Sequence, residues 1–359
     1  MYRIVLRLLA GSLFFFTNVF IYATASRVFG FEIPYWYILI GFLAFSYVLA
    51  GIGVRNYHHK IIDWFYLIAS AWIGIMFLLF SASLVYVIGH TVTGKDSPLI
   101  LAILLLSAIV ASIYALIQGR LLTTREYTLP INGLTKPVRL VHLTDIHVGT
   151  VHKKDYLEKV VRETNSLSPE LVLITGDLFD GSAPIDESIL TPLNDLVAPS
   201  FFSNGNHEEY EGLKHVRDTV MNLKLRLLEN QFAIHEELQI IGVNDRQSLS
   251  REQTLGSILG PLPYDGAKPT ILMYHSPTEW DDALEHGADL MLSGHTHNGQ
   301  IYPFTLLVKI SFKYINGLYE KGGKYLHVSP GTGTWGPPMR LGSKNQITLI
   351  TLVPVDSNS

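Results

Sequence analysis

The chain contains no cysteine. A disulfide framework, a thiolate metal site and a nucleophilic cysteine are therefore all excluded. Charge is also scarce: 16% of the 359 residues are Asp, Glu, Lys or Arg, against about a quarter in ordinary soluble domains. No glycine-rich nucleotide loop of the P-loop or Rossmann type is present. With 48% apolar residues and a net charge of only −4, disorder is excluded as the dominant state. The shortage of charge is local. The first 120 residues hold 7 basic and 3 acidic side chains, leaving 20 and 28 for the other 239. The second part is thus net acidic by 8, which argues against a nucleic-acid backbone as its partner.

Four runs in the first part carry no charge: residues 8–26, 33–54, 64–94 and 97–119. A helix needs about 20 apolar residues to cross a ~30 Å hydrocarbon layer. Residues 1–120 are therefore expected to form a transmembrane region with spans near 8–26, 33–54, 64–89 and 97–119. The alternative, buried helices of a soluble domain, leaves no polar face to solvate it. Aromatic clusters at 35–37 and 64–66 suit the headgroup level. The first run, with Arg3, Arg7 and the small-residue stretch Ala23-Thr24-Ala25, also resembles a cleavable leader.

Short-loop cations give the orientation. Arg3, Arg7, Arg55, Lys60, Arg120 and Arg125 fall on one side, and Arg27 and Lys95 on the other. The positive-inside rule then predicts a multi-pass protein of the cytoplasmic (inner) membrane, with residues after 120 on the cytoplasmic face. Removing the first run does not alter that side.

Residues 121–137 read as a connector, and 138–359 as one α/β domain. Candidate strands are 138–143, 171–175, 200–203, 238–243, 270–274, 288–292, 325–329 and 347–352. Residues 154–167 carry Tyr156, Leu157, Val160 and Val161 at helical spacing. Near-continuous apolar strands such as 171–175 imply a sheet covered on both faces.

Polar residues gather where the strands end: Asp145 and His147 after the first, then Asp177, Asn206 with His207, His275, and finally His295 with His297. Ligand sites of α/β sheets form outside the carboxyl ends of strands. Two Asp, one Asn and five His exceed the needs of one metal and suggest two ions sharing a carboxylate. Nitrogen and oxygen donors without sulfur fit Mn, Fe, Zn or Co, with the identity open. Two such ions can activate a hydroxide and bind phosphate oxygens for in-line attack. An imidazole outside the metal shell then serves as proton donor, and His207 is the candidate.

The blocks Asp145-x-His147, Gly176-Asp177, Gly205-Asn206-His207-Glu208, His275 and Gly294-His295-x-His297 resemble the signature of the calcineurin-like metallophosphoesterase superfamily. The resemblance implies a four-layer α/β/β/α sandwich. It further implies one ion on Asp145, His147, Asp177 and His297, a second on Asp177, Asn206, His275 and His295, and His207 as the catalytic imidazole. Glu208 is read as supporting its loop. The segments 242–245, 294–300, 317–319 and 329–342 are similar to the branch containing YaeI- and YkuE-type phosphodiesterases, near the LpxG-type UDP-2,3-diacylglucosamine hydrolases. Asn298 stands where that branch usually has Gly, and Asn tolerates the left-handed backbone such a turn needs. His142, His152, His215 and His327 are read as hydrogen-bonded core residues.

The sequence thus predicts a membrane-anchored phosphoesterase hydrolysing a phosphodiester or pyrophosphate bond by metal-bound hydroxide. Its expected partners are the bilayer and a lipid-linked phosphoester such as UDP-2,3-diacylglucosamine. Arg340 is a candidate phosphate clamp. Alternatives are a phosphodiesterase for soluble diesters of the cyclic-nucleotide type, a metal-free binding scaffold of the same fold, and a ligand sensor in which the membrane part is the main function.

Overall fold

The computed structural model describes residues 2–57, 59–183, 185–246 and 253–355, without the side chains of residues 2–4, 6 and 7. Arg3 and Arg7, which enter the orientation argument, therefore have side chains outside the described set. The chain divides into two compact units, Met1–Arg120 with Gly336–Leu341, and Leu121–Trp335 with Gly342–Ser359.

The first unit contains α1 (Tyr2–Phe29), α2 (Trp36–Asn56), α3 (Lys60–Thr93) and α4 (Pro98–Gln118). All four are long and apolar enough to cross a bilayer. α3 overruns the expected span at both ends. It stops at Gly94, whose φ of 66° a β-carbon would disfavour. Pro98 opens α4 behind Ser97, whose hydroxyl accepts from the Ile100 N–H. Helices associate in lipid through small residues that permit close approach. A β-carbon on Gly11 would lie 2.3 Å from Phe45, and Ala44, Ala50, Ala69 and Ser70 are buried. Asn18 donates to its own helix at Phe14 O and to the Met76 sulfur. Tyr66, expected at the headgroup level, instead points inward and stacks obliquely on Tyr47.

The second unit is built on twelve strands: β1 (Leu122–Ile131), β2 (Val138–Leu143), β3 (Leu171–Thr175), β4 (Ser200–Ser203), β5 (Arg226–Leu227), β6 (Gln231–His235), β7 (Leu238–Val243), β8 (Thr270–Tyr274), β9 (Leu290–Ser293), β10 (Gly317–Lys321), β11 (Lys324–Val328) and β12 (Asn345–Pro354). They form two six-stranded sheets, ordered β1-β12-β2-β3-β4-β5 and β10-β11-β9-β8-β7-β6. Residues 122–131, read from sequence as connector, are an edge strand paired in parallel with β12. Arg125, Glu126 and Pro130 disguise it, and proline is tolerated in a strand only at a sheet edge.

Period-two alternation sorts the core into three layers. Val141, Val172, Ile174 and Phe202 face outward from the first sheet, where α5 (Lys154–Ser166), α6 (Glu187–Leu190), α7 (Asn206–Glu211) and α8 (Leu213–Val220) lie along the chain. Leu140, Leu171, Leu173 and Phe201 meet Ile240, Ile271, Met273, Leu290 and Leu292 between the sheets. Ile241, Leu272 and Met291 join Leu255 of α9 (Leu255–Leu259) and Trp280 of α10 (Trp280–Glu285) on the far side. The last helix, α11 (Phe304–Ser311), follows β9. The result is the α/β/β/α sandwich. β2, β3 and β4 run parallel, as do β8 and β9, so each group presents its carboxyl ends together.

Candidate metal centre

Every strand-end residue in the signature lies just beyond one of these five parallel strands. Several contacts tie the two sheets together there. His295 Nδ1 meets Asn206 Oδ1 at 2.8 Å, His147 Nε2 lies 3.1 Å from His297 Nε2, and the His275 ring reaches Thr175 O at 2.9 Å. The His295 backbone N–H donates to the Asp145 carboxylate. Asp145 and Asp177 are buried among imidazoles, with His297 Nε2 3.2 Å from Asp145 Oδ1 and His275 Nε2 3.2 Å from Asp177 Oδ2.

Among the described residues, three groups could each hold a cation: Asp145 with His147 and His297; Asp145 with Asp177 and His275; and His147 with Asp180 and His207. The donor set fits a metal on chemical grounds. A carbonyl can only accept, so His275 Nδ1 carries a proton toward Thr175 O and the ring turns Nε2 toward the Asp177 carboxylate. That Nε2 is buried and makes no hydrogen bond. His147 and His297 bring two ring nitrogens together beside Asp145, an arrangement that needs a cation or proton between them.

The charges respond to this crowding. Burial works against ionisation of Asp177, but His275 and His207 outweigh it and hold the carboxyl well below its usual range. Burial likewise opposes charge on His275, and the carboxylates of Asp177 and Asp145 raise it well above the usual imidazole range. His147 is pushed well down by burial and by His207. On His207 the carboxylates of Asp177 and Asp180 overcome burial and raise the imidazole.

His207 stands at the start of α7, where its backbone N–H donates to Asp177 Oδ1 and its Nδ1–H to Asp180 O at 2.5 Å. Its Nε2 lies 4.0 Å from Asp177 Oδ2. Glu208 accepts from the N–H groups of Asp177, Phe179 and Gly205. Burial, then the Asp177 charge, push its carboxyl up to about 7. Asp180 escaped the reading of the sequence, although it follows Asp177 by three residues in the same loop. Its carboxylate lies 3.8 Å from His147 Nδ1. Tyr210 and Trp335 were also missed; their rings pack edge-on against His207 at 5.0 and 6.2 Å.

Arg340 is grouped differently. Its segment belongs to the helical unit, where its backbone N–H donates to Ala115 O at 2.9 Å. Its side chain is buried. A β-carbon on Gly119 would come within 2.4 Å of Pro338 O, which shows how tightly the segment packs on α4.

The loops carry backbone strain. Asp145, His147, Asp177, His295, His297, Asn298 and Gln300 all have φ between 49° and 67°. Left-handed non-glycine residues cluster where surroundings over-determine them, often at functional sites. Asn298 adopts φ 50° and ψ 35°, so the turn survives without glycine.

His142 and His327 share an Nδ1···Nδ1 hydrogen bond of 3.0 Å in the layer between the sheets. His152 Nε2 meets Thr334 Oγ1 at 2.8 Å. His215 Nε2 lies 3.3 Å from Ile185 O.

Comparison with known proteins agrees with this construction. The profile of the calcineurin-like phosphoesterase family matches residues 138–299. A metallophosphoesterase of Helicobacter pylori is 37% identical over 235 residues, covering 64% of this chain and 64% of its own length. The chain therefore spans slightly less than two thirds of that relative. One from Aquifex aeolicus is 31% identical over 255 residues, 68% of this chain and 97% of its own. A transmembrane protein with metallophosphoesterase domain from Bos taurus is 32% identical over 234 residues, 60% of this chain and 53% of its own. With its two-sheet sandwich, its strand-end His, Asp and Asn cluster and these relatives, the chain belongs to the calcineurin-like metallophosphoesterases, and it carries four N-terminal helices long and apolar enough to cross a membrane.

Proposed function

We propose that the protein holds two divalent ions and hydrolyses a phosphodiester or pyrophosphate bond of a lipid-linked substrate at the cytoplasmic face of the inner membrane, with UDP-2,3-diacylglucosamine as the leading example. The observation that carries the reading is the convergence of buried His, Asp and Asn donors from five strand ends, in a chain that also has four helices able to span a bilayer. Asp145, His147 and His297 would hold one ion, Asn206, His275 and His295 the other, and Asp177 would serve both.

Bound ions supply Lewis-acid charge for phosphate oxygens and lower the pKa of a bound water. The chain's own residues do the rest. His207, tethered through Nδ1 to Asp180 O, keeps Nε2 free to hold a proton for the departing oxygen. The carboxylates of Asp177 and Asp180 outweigh burial and raise this imidazole, which favours its protonated form. Glu208 fixes the Asp177 and Gly205 backbone, so the shared carboxylate does not swing. The rings of Tyr210 and Trp335 pack against His207 and limit its rotation.

The test uses full-length protein in nanodiscs supplied with Mn, Zn, Co or Fe, with metal content measured on the same sample. Release of lipid monophosphate and UMP from UDP-2,3-diacylglucosamine is expected. Failure to turn over any lipid pyrophosphate, with soluble diesters hydrolysed at full rate, would overturn the lipid assignment and leave the phosphoesterase intact.

A further inference from the structure

Twelve large apolar or aromatic side chains are exposed among the described residues of the second unit, and five of them fall between residues 302 and 310. Scattered exposed apolar residues need no explanation, but a contiguous patch does. Leu306, Leu307 and Ile310 stand at i, i+1 and i+4 on one face of α11, and Ile310 is 82% exposed. Val308, on the opposite face, is the residue that the helix buries. The segment from 302 to 313 contains no acidic residue and carries Lys309 and Lys313. An apolar face with lysines at its margins is the pattern of a helix lying in the headgroup region of a membrane.

The same helix is joined at both ends to the metal cluster. At its start, Thr305 Oγ1 donates to Asn298 O, and Gly299 packs so closely that a β-carbon there would lie 2.3 Å from Thr305 Cα. At its end, the Phe312 ring packs edge-on against His295, 5.4 Å between centroids. Only three residues join α4 to β1, so a bilayer holding the helical unit is present to this domain at high effective concentration.

We propose that α11 is an interfacial element. Its Leu306, Leu307 and Ile310 face enters the headgroup and acyl boundary of the bilayer, with Lys309 and Lys313 on anionic headgroups. This places the loop of His295 and His297 at the depth where the phosphate of an amphiphile resides. The inference rests on the reading of α1 to α4 as membrane-spanning, and not on the identity of the substrate.

The absence of native cysteine makes the test direct. Ile310→Cys is labelled with a nitroxide in the full chain, reconstituted in nanodiscs of phosphatidylethanolamine and phosphatidylglycerol. Power-saturation measurements should show collisions with dioxygen exceeding those with a water-soluble nickel chelate several-fold. A label equally or more accessible to the nickel chelate overturns the proposal. So does a label shielded from both reagents that shows spin–spin broadening lost on dilution with unlabelled protein, because it assigns the face to a second copy. A label shielded from both without such broadening assigns it to protein contact and also overturns it. The readout needs no turnover, so an inactive preparation leaves it decisive.

Discussion

Gly294, at the end of β9, offers a sharp test of how the site is held. A β-carbon at this position would lie 2.1 Å from Asp145 Oδ2 and 2.3 Å from Thr144 Oγ1, where ordinary contact begins at 3.4 Å. The shortfall is thus about 1.3 Å. Neither neighbour is free to give way. Both are fully buried, and Thr144 Oγ1 donates to Thr175 O and lies 2.9 Å from Asp145 Oδ2. Relief in Gly294→Ala therefore has to come from rotating Asp145 off His297 and His275, or from parting the ends of β2 and β9. Misplacing a reacting constellation by 1 Å costs roughly a hundredfold in rate, and overpacking a rigid core costs about 1–3 kcal/mol of stability. We expect Gly294→Ala to lower kcat/KM on an aryl phosphodiester about a hundredfold and to bind less metal, with an unchanged circular dichroism spectrum at 25 °C. Gly266→Ala, whose added carbon has no neighbour closer than 3.9 Å, serves as the control and should be neutral. Activity of Gly294→Ala within twofold of the parent, with full metal content, would refute the assigned geometry.

Asp177→Asn should abolish activity and reduce both metals, whereas His207→Ala should lower turnover with metal content near the parent value; equal metal loss in the two variants contradicts the roles given to them. Stripping metal with a chelator should lower the melting temperature reversibly, because a ligand at a thousand times its Kd stabilises by about 4 kcal/mol; an unchanged melt would mean that the buried carboxylates need no cation. The buried pair His142 and His327 should limit stability in acid. Burial lowers both imidazoles and holds His327 down at about 3, against roughly 6.5 in an unfolded chain. A depressed folded value means that this stability is present above the unfolded pKa and is lost as pH falls from about 6.5 toward 3. At 1.36 kcal/mol per unit, the loss from His327 alone reaches up to about 5 kcal/mol. In thermal melts of chelator-treated protein, the double variant His142→Leu/His327→Leu should flatten that limb; a limb of unchanged steepness would show that the loss originates elsewhere.

The parts of the fold legible in the sequence are those with short-range causes. Residues 138–143, 171–175, 200–203, 238–243 and 270–274 are strands with those bounds in the structure, because short near-continuous apolar runs that end in polar residues or glycine have few other solutions. β1 was hidden because its partner β12 lies more than 200 residues away and its exposed half looks like a linker. Two-residue β5 has no pattern to detect, and β6 and β10 alternate weakly at the outer edges of the second sheet. Asp180 stands beside a recognised residue, yet its role depends on which atoms come within reach after two loops meet, whereas the loop-supporting role read for Glu208 matches its hydrogen bonds to Asp177, Phe179 and Gly205.

By itself, the sequence determined that one third of the chain forms runs long and apolar enough to cross a membrane, and that metal-competent side chains end five strands. Hydropathy and strand punctuation are written locally. Tertiary structure alone decided that those five ends converge and that Asp145, His147 and Asp177 hold left-handed backbone angles. It also decided that the apolar residues of α11, indistinguishable in sequence from core, turn outward. Such outcomes depend on how two sheets pack face to face, and no stretch of neighbouring residues encodes that distance.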